Sequence, residues 1–463
     1  MVVERMGVLK RGICALGARL RKTANGTFAR GLTILTSTSL VQTLITVAAA
    51  PILSRLFTPE QFGIAGLIQV VADIPTLCAT GQYYAAFGLA RNGIEAVNIA
   101  ALSMLLVGLL SLAMVPPMLA VRAHADLLPD FLAAVAPHLW TVPLLMAVVA
   151  TMSLCRVWEI RHTRYRSLVS NRLLETVGMN ATQIGLGLFG AGALGLILGR
   201  LLGIAAAAMH GLSFMMRPLG WRGVRSISRR RVCTVARRHW RFPVFHLPAQ
   251  ILGVIAQQLT PILLGAFYSL ASVGFFWFAN RLLERPSIVF GTNVARVYFQ
   301  HAADRRRARD PVFGLFWRST GLLVVVGIVP FAAVIAYGPP LFAFVFGAEW
   351  EMAGHYARWI ALISFVELVA ATSRASTSLF NLQGFLAIIE GSRAGMGALA
   401  LLAVAMLEGD ELTAIAATAT VQSLIMVVFI TFVAVRLRQL DRQTQAGRAE
   451  PRTAPAAELP RVD

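Results

Sequence analysis

Eight ionisable residues carry the most telling chemistry in this chain, because each falls inside a stretch otherwise apolar enough to span a bilayer: Asp73, Arg281, Glu284, Arg285, Glu367, Arg374, Glu390 and Arg393. An Arg or Asp at mid-span costs about 2.5–3.5 kcal/mol on insertion scales, so each needs a partner or a task. Their spacing groups them. Arg281, Glu284 and Arg285 stand at i, i+3 and i+4 on one helix face, and Glu390 and Arg393 are i, i+3 neighbours. Glu367 and Arg374 are seven apart, which is one face at a separation of about 10 Å along a helix axis. Arginine offers planar, forked donors that match phosphate oxygens. Arg281, Arg285, Arg374 and Arg393 are therefore candidates to line a path for an anionic group. Asp73, Glu284, Glu367 and Glu390 could titrate or hold a cation, coupling movement along that path to a gradient of H+ or Na+. The competing reading is internal pairing, since four arginines against four carboxylates leave no surplus charge. Asp73, isolated in the N-terminal half, fits a structural role best. Gln257, Gln258, Asn280 and Asn293 add amides for a hydroxyl-rich ligand or for neighbouring helices. Arg296, Arg318 and Glu175 sit near helix ends, where long side chains snorkel, and Arg200 lies deeper.

The elements that position these residues follow from composition. Of 463 residues, 57% are apolar and only 14% charged, against about 25% charged in soluble domains. The chain is too apolar to clothe that much soluble surface, and a bilayer core about 30 Å thick needs about 20 apolar residues in helix. Twelve such stretches occur, at roughly 32–54, 64–89, 97–121, 131–155, 173–191, 194–216, 242–266, 270–298, 314–337, 357–380, 386–407 and 413–435. The expected fold is an all-α, polytopic integral membrane protein with twelve transmembrane helices. Its parts are a basic segment (1–31), a first six-helix half (32–216), a basic linker (217–241), a second six-helix half (242–435) and a disordered tail (436–463).

The net charge of +20 would suit a nucleic-acid binder until it is sorted by position. With both termini cytoplasmic, the cytoplasmic loops and tails hold 32 of the 42 Lys and Arg residues, and the outer loops hold only Arg55, Arg122 and Arg358. That is the positive-inside pattern; the charge reports topology, and no nucleic-acid partner is expected. Val8–Arg30 alternates basic and apolar residues, as a segment lying on the anionic inner leaflet would. Cys14, Cys78, Cys155 and Cys233 show neither disulfide-framework nor zinc-ligand spacing. There is no phosphate-binding G-x-x-x-x-G-K-[ST] loop, no catalytic constellation and no metal cluster, so neither a cofactor nor covalent chemistry is expected. The longest outer loop, Gly338–Tyr356, is too short to carry the catalytic platform of a polysaccharide polymerase or ligase.

The chain also repeats itself. Pro51-Ile52-Leu53 followed by Phe57 recurs as Pro261-Ile262-Leu263 followed by Phe267, an offset of 210, and Gly63 pairs with Gly274 at 211. The copies end the first and seventh spans, as a duplication of six-helix halves with a site between them predicts. Within the first copy, Thr58-Pro59-Glu60 fits a helix start with Thr as N-cap, Pro at N1 and an acid in the first turn. The small residues Gly185, Gly187, Gly195, Gly199 and Gly203 fit close helix packing.

At these residues the chain resembles the Wzx-type oligosaccharide flippases, or polysaccharide transporters, of the superfamily that includes MATE exporters and the lipid II flippase. The resemblance rests on Pro51–Gly63, on Phe242–Pro248 continuing through Gly274-Phe-Phe and Asn280-Arg-Leu-Leu to Pro286, and on Leu341–Gly347 with Trp350, Ala353 and Tyr356. It covers most of 32–435. Ala371–Thr377 stands where such proteins often carry a proline. The resemblance implies a MATE-like fold in the bacterial inner membrane. It implies translocation of undecaprenyl-diphosphate-linked oligosaccharide to the periplasmic leaflet, for lipopolysaccharide or exopolysaccharide synthesis, alongside polymerase and export machinery. The alternative within the same architecture is a MATE-type ion-coupled exporter of small molecules, which would favour carboxylates and aromatics over arginine in its cavity.

Overall fold

A computed structural model describes residues 27–449, which are almost entirely helical. The basic segment before Thr27 and the end of the tail lie outside the described residues. Twelve long helices follow one another: α1 (Thr27–Leu56), α2 (Pro59–Ala79), α3 (Gly93–Ala113, continued by Val115–Ala123), α4 (Thr141–Arg161), α5 (Tyr165–Leu188), α6 (Gly192–Arg225), α7 (Leu247–Phe267), α8 (Leu270–Arg307), α9 (Phe313–Phe346), α10 (Glu351–Leu379), α11 (Gln383–Met406) and α12 (Glu411–Ala449). Ten of these are long and apolar enough to cross a membrane, so the protein is multi-pass. The two that fall short, α5 and α8, are long helices diluted by charge: Arg166, Arg172 and Glu175 on one, Arg281, Glu284 and Arg285 on the other.

Differences from the sequence reading have local causes. The second helix ends at Ala79 rather than near 89, because Gly81 and Gln82 take positive φ and turn the chain into a short 3-10 stretch, Tyr83–Leu89. The fourth begins at Thr141 rather than near 131; Pro129 and Pro137 break the preceding segment into single turns. The predicted loop at Gly338–Tyr356 is mostly helix: α9 bends at Tyr337 (φ −115°, ψ 15°) and runs on to Phe346. α12 continues to Ala449, so the first part of the expected disordered tail is helical.

Helices α1–α6 pack among themselves, as do α7–α12, and the two groups meet chiefly where α2 crosses α8. The repeat explains that crossing. Thr58 caps α2 by accepting from the Gln61 N–H, and Ser269, its counterpart at an offset of 211, caps α8 by accepting from the Ser272 N–H. Gly63 and Gly274 then bring the two helices into backbone contact. A Cβ on Gly63 would sit 2.0 Å from the Leu270 carbonyl oxygen, and one on Gly274 would sit 1.8 Å from that of Pro59. The contact is reciprocal, as between the subunits of a two-fold dimer. Close approach also joins α5 to α6: a Cβ on Gly199 would meet Gln183 at 2.4 Å, and one on Gly203 would meet Met179 at 2.4 Å. Gly187 and Gly195 accommodate the Phe57 ring, whereas Gly185 faces open space.

Candidate functional site

Between the two helix groups lies a cavity of about 2350 Å³. One end is packed shut by aromatic side chains from both groups. Phe62 on α2 meets the Phe278 ring at 5.4 Å and Trp350 at 5.2 Å, both edge-on, and Phe278 meets Phe346 at 5.0 Å. The polar edges of this plug are satisfied across the same boundary. The Trp350 indole N–H donates to the Ser54 carbonyl (2.9 Å), and the Ser54 hydroxyl donates to the Phe346 carbonyl (2.9 Å). From this plug the cavity runs between the helices toward the N-terminal end of α1 and the C-terminal ends of α4 and α8. In the topology predicted by loop charge, that end is cytoplasmic.

Four of the predicted residues form one closed ring on the cavity wall. Arg374 on α10 meets Glu367 at 2.5 Å and Glu390 on α11 at 2.9 Å, while Arg393 meets Glu367 at 3.1 Å and Glu390 at 3.1 Å. Each guanidinium spans both carboxylates, so the ring carries no net charge and ties α10 to α11. Each side chain is partly exposed to the cavity.

The other predicted residues come from α2 and α8, at related positions. Asp73 and Glu284 are counterparts at the repeat offset of 211, as are Gln69 and Asn280, and all four line the cavity. Asp73 accepts from Gln258 Nε2 of α7 at 2.6 Å, a bond between the two groups, and lies within electrostatic reach of Arg200. Glu284 accepts from Asn280 Nδ2 (2.7 Å). Arg281 also crosses between groups, donating to Asn180 Oδ1 of α5 at 3.4 Å. The side chain of Arg285 lies outside the described residues.

Several cavity residues escaped the sequence reading. By hydropathy Arg156 and Arg172 fall in the loop between the fourth and fifth stretches, yet α4 runs to Arg161 and α5 starts at Tyr165, so both are helical and both line the cavity. Arg156 pairs with Glu175 at 2.5 Å. Arg296, assigned to a snorkelling helix end, also reaches the lumen. The i, i+3 spacing of Arg172 and Glu175 was the available signal. In all, seven arginines and five carboxylates line the cavity. Among the described residues, no group of three or more His, Cys, Asp or Glu side chains could hold a metal ion, and Cys78, Cys155 and Cys233 are free thiols.

The architecture is shared with solved transporters. An inward-facing multidrug-resistance MATE transporter superposes with a TM-score of 0.61 at 14% identity, covering 88% of this chain and 99% of its own. The lipid II flippase MurJ, in an inward closed conformation, gives 0.62 at 11% identity over 89% and 91%. A MATE structure in complex with MaD3S gives 0.53 at 13% identity over 88% and 94%. At these identities the likeness is one of fold. No curated protein matches the sequence. The family described as polysaccharide biosynthesis protein matches residues 52–355, which is more than half of the chain and includes the repeat motif from Ile52 on and the whole of its second copy. The chain belongs to the polysaccharide biosynthesis protein family.

Proposed function

We propose that this protein is a flippase that moves undecaprenyl-diphosphate-linked oligosaccharide from the cytoplasmic to the periplasmic leaflet of the bacterial inner membrane. The observation that carries this reading is the cavity itself: large, closed at one end by residues of both helix groups, and lined by arginines and amides. Ligand pockets for drug-sized molecules occupy about 300–1,000 Å³; this one is more than twice the upper figure. Amides such as Gln69, Gln257 and Asn280 suit sugar hydroxyls, and guanidinium groups suit a diphosphate. The polyprenyl tail would stay in lipid while the headgroup crosses inside.

Mechanistically, the twelve helices would span the membrane with both termini cytoplasmic. The two groups would rock about the Gly63–Gly274 crossing, opening the aromatic plug as the opposite mouth closes. Arg281 bonds across that boundary and would exchange partners as it moves. Asp73 and Glu284, polar anchors at repeat-related positions, are the proposed groups for coupling to H+ or Na+. Glu367, Arg374, Glu390 and Arg393 line the path while compensating one another. A polymerase and export machinery would receive the flipped unit.

A MATE-type small-molecule exporter is the second reading, favoured by the fold of the solved neighbours. Seven arginines in the lumen disfavour it, since a site for organic cations needs the opposite sign. Deleting the gene distinguishes the two. The flippase reading expects lipid-linked saccharide stranded on the cytoplasmic leaflet and loss of surface glycan. Intact glycan with altered drug sensitivity would reject it.

A further inference from the structure

One carboxylate stands apart from the cavity. Glu159 lies between α4, α5 and α6 with 1% of its surface exposed, and it does not line the lumen. Its Oε1 atom accepts twice from α5, from Ser167 Oγ and from Asn171 Nδ2, both at 2.5 Å. The Asn171 amide is fixed from its other end as well, because its Oδ1 accepts from Nδ1 of His210 on α6. That sets the imidazole tautomer, with the proton on Nδ1, and leaves the amide only donors to offer Glu159. Oε2 of Glu159 is buried with no hydrogen-bond partner among the described residues. Packing does not demand an acid here: the position related to 159 by the repeat offset of 211 is Ala370, fully buried on α10. A bare, buried carboxylate oxygen costs far more than a neutral carboxyl in the same place.

One turn back on α4, Arg156 Nε is also buried without a partner, while its Nη2 reaches Glu175 in the lumen at 2.5 Å. An orphaned donor and an orphaned acceptor therefore stand at i and i+3, a spacing at which charged side chains meet. The other ionisable groups around this end of α4 are engaged elsewhere. Arg161 donates to the Phe87 and Ala90 carbonyls, Arg164 to that of Phe214, and His162 bonds that of Trp158. On α5, Arg172 donates to Ser39. From α2, Asp73 holds Gln258; from α3, Glu95 pairs with Arg238 and His239; and Tyr83 donates to the Ala236 carbonyl. Cys155 and Tyr84 add no charge at neutral pH.

We propose that Glu159 is a proton-binding site, and that its proton decides where Arg156 points. With the proton on Oε2, Arg156 ties α4 to α5 through Glu175 in the lumen, which is the arrangement seen. Loss of the proton leaves a buried negative charge one turn from Arg156, which turns inward to Glu159 and leaves Glu175 alone. The lumen surface there changes from a neutral pair to one negative charge. Proton uptake and release thereby alter the charge and the helix linkage of the cavity wall, while the proton itself is held behind it. The site is separate from Asp73 and Glu284, and it stands whatever the cavity carries.

Infrared spectra of the full-length protein in nanodiscs, titrated with pH, read the site, since a protonated carboxyl has a carbonyl stretch that a carboxylate lacks. At neutral pH the wild type should show a carboxyl band that Glu159→Gln lacks, and the band should vanish in alkaline buffer. Arg156→Gln removes the cation that answers the bare carboxylate, so the band should persist to higher pH. Glu175→Gln releases Arg156 toward Glu159, so the band should be lost at lower pH. Each shift should be about one pH unit or more, as for an opposite charge lost or gained at contact distance. A polar cluster with a purely structural role would leave the pH of loss unmoved in both variants. Wild-type and Glu159→Gln spectra that coincide in the carboxyl region, with matching melting curves, would overturn the proton site. A band lost at the wild-type pH in both Arg156→Gln and Glu175→Gln would overturn the exchange of partners, and that comparison holds even where Glu159→Gln does not fold.

Discussion

Gly274→Ala is the sharpest structural perturbation available, because its cost can be read from one contact. The added methyl would lie 1.8 Å from the Pro59 carbonyl oxygen and 3.1 Å from the Gly63 nitrogen, both backbone atoms of α2. Cβ atoms essentially never approach closer than 3.0 Å, so α2 and α8 would have to separate by at least about 1.2 Å in an interior packed like an organic crystal. No side-chain rotation relieves the clash. Overpacking of this kind costs about 1–3 kcal/mol or more, and the shift would loosen the aromatic contacts of Phe62 and Phe278 just beyond the crossing. Thermal unfolding of the purified protein in detergent, followed by tryptophan fluorescence, should show an apparent melting temperature several degrees below wild type. Gly63→Ala, facing the Leu270 carbonyl at 2.0 Å, should behave alike. The double variant should cost less than the sum, since one separation relieves both clashes. Gly321→Ala on α9, with nothing within 4 Å, should be neutral or slightly stabilising, as Ala exceeds Gly in helix propensity by about 1 kcal/mol. A Gly274→Ala protein as stable as wild type would refute the reciprocal crossing.

The ion-pair ring, the aromatic plug and the α2 cap can each be perturbed singly. Arg374→Gln leaves Glu367 and Glu390 sharing Arg393 alone and should destabilise the protein by about 2–4 kcal/mol, somewhat less than the roughly 3–5 kcal/mol for a fully buried pair because these side chains are partly exposed. Glu367→Gln combined with Arg374→Gln should recover part of that loss, as melting curves would show. Trp350→Ala removes both the Phe62 contact and the bond to the Ser54 carbonyl, so a cysteine placed at buried Ser54 should become reactive toward a membrane-impermeant maleimide added from outside. Unchanged labelling would mean that the aromatic cluster is not a seal. Thr58→Ala deletes the α2 N-cap and should cost about 1 kcal/mol, again read by melting.

Much of this architecture was legible because the signals were repetitive. Apolar stretches of membrane length located the helices, and the recurrence of Pro51-Ile52-Leu53 and Gly63 at Pro261-Ile262-Leu263 and Gly274 pointed to the pair of residues that later proved to touch. The spacing of Glu390 and Arg393 placed them on one face, though only the three-dimensional arrangement shows that Glu367 and Arg374 close a ring with them. What escaped was charge near helix ends. Arg156 and Arg172 look like loop residues when spans are read by hydropathy, because charge itself lowers the score of the helix that carries it. That is why α5 and α8, the two least apolar long helices, supply so much of the lumen. The loop expected at Gly338–Tyr356 failed for a related reason: Gly338-Pro339-Pro340 signals a break, yet α9 absorbs it as a bend.

Whether the cavity carries a lipid-linked saccharide across the bilayer can be measured in a reconstituted membrane. Proteoliposomes holding the purified protein and an undecaprenyl-diphosphate-linked saccharide in both leaflets test it most directly, with an impermeant glycosidase outside. Nearly all the substrate should be cleaved with the wild type present, while protein-free vesicles and the Arg281→Gln variant should lose little beyond the outer-leaflet share. Cleavage that stops at the outer-leaflet share with folded wild-type protein present would contradict it.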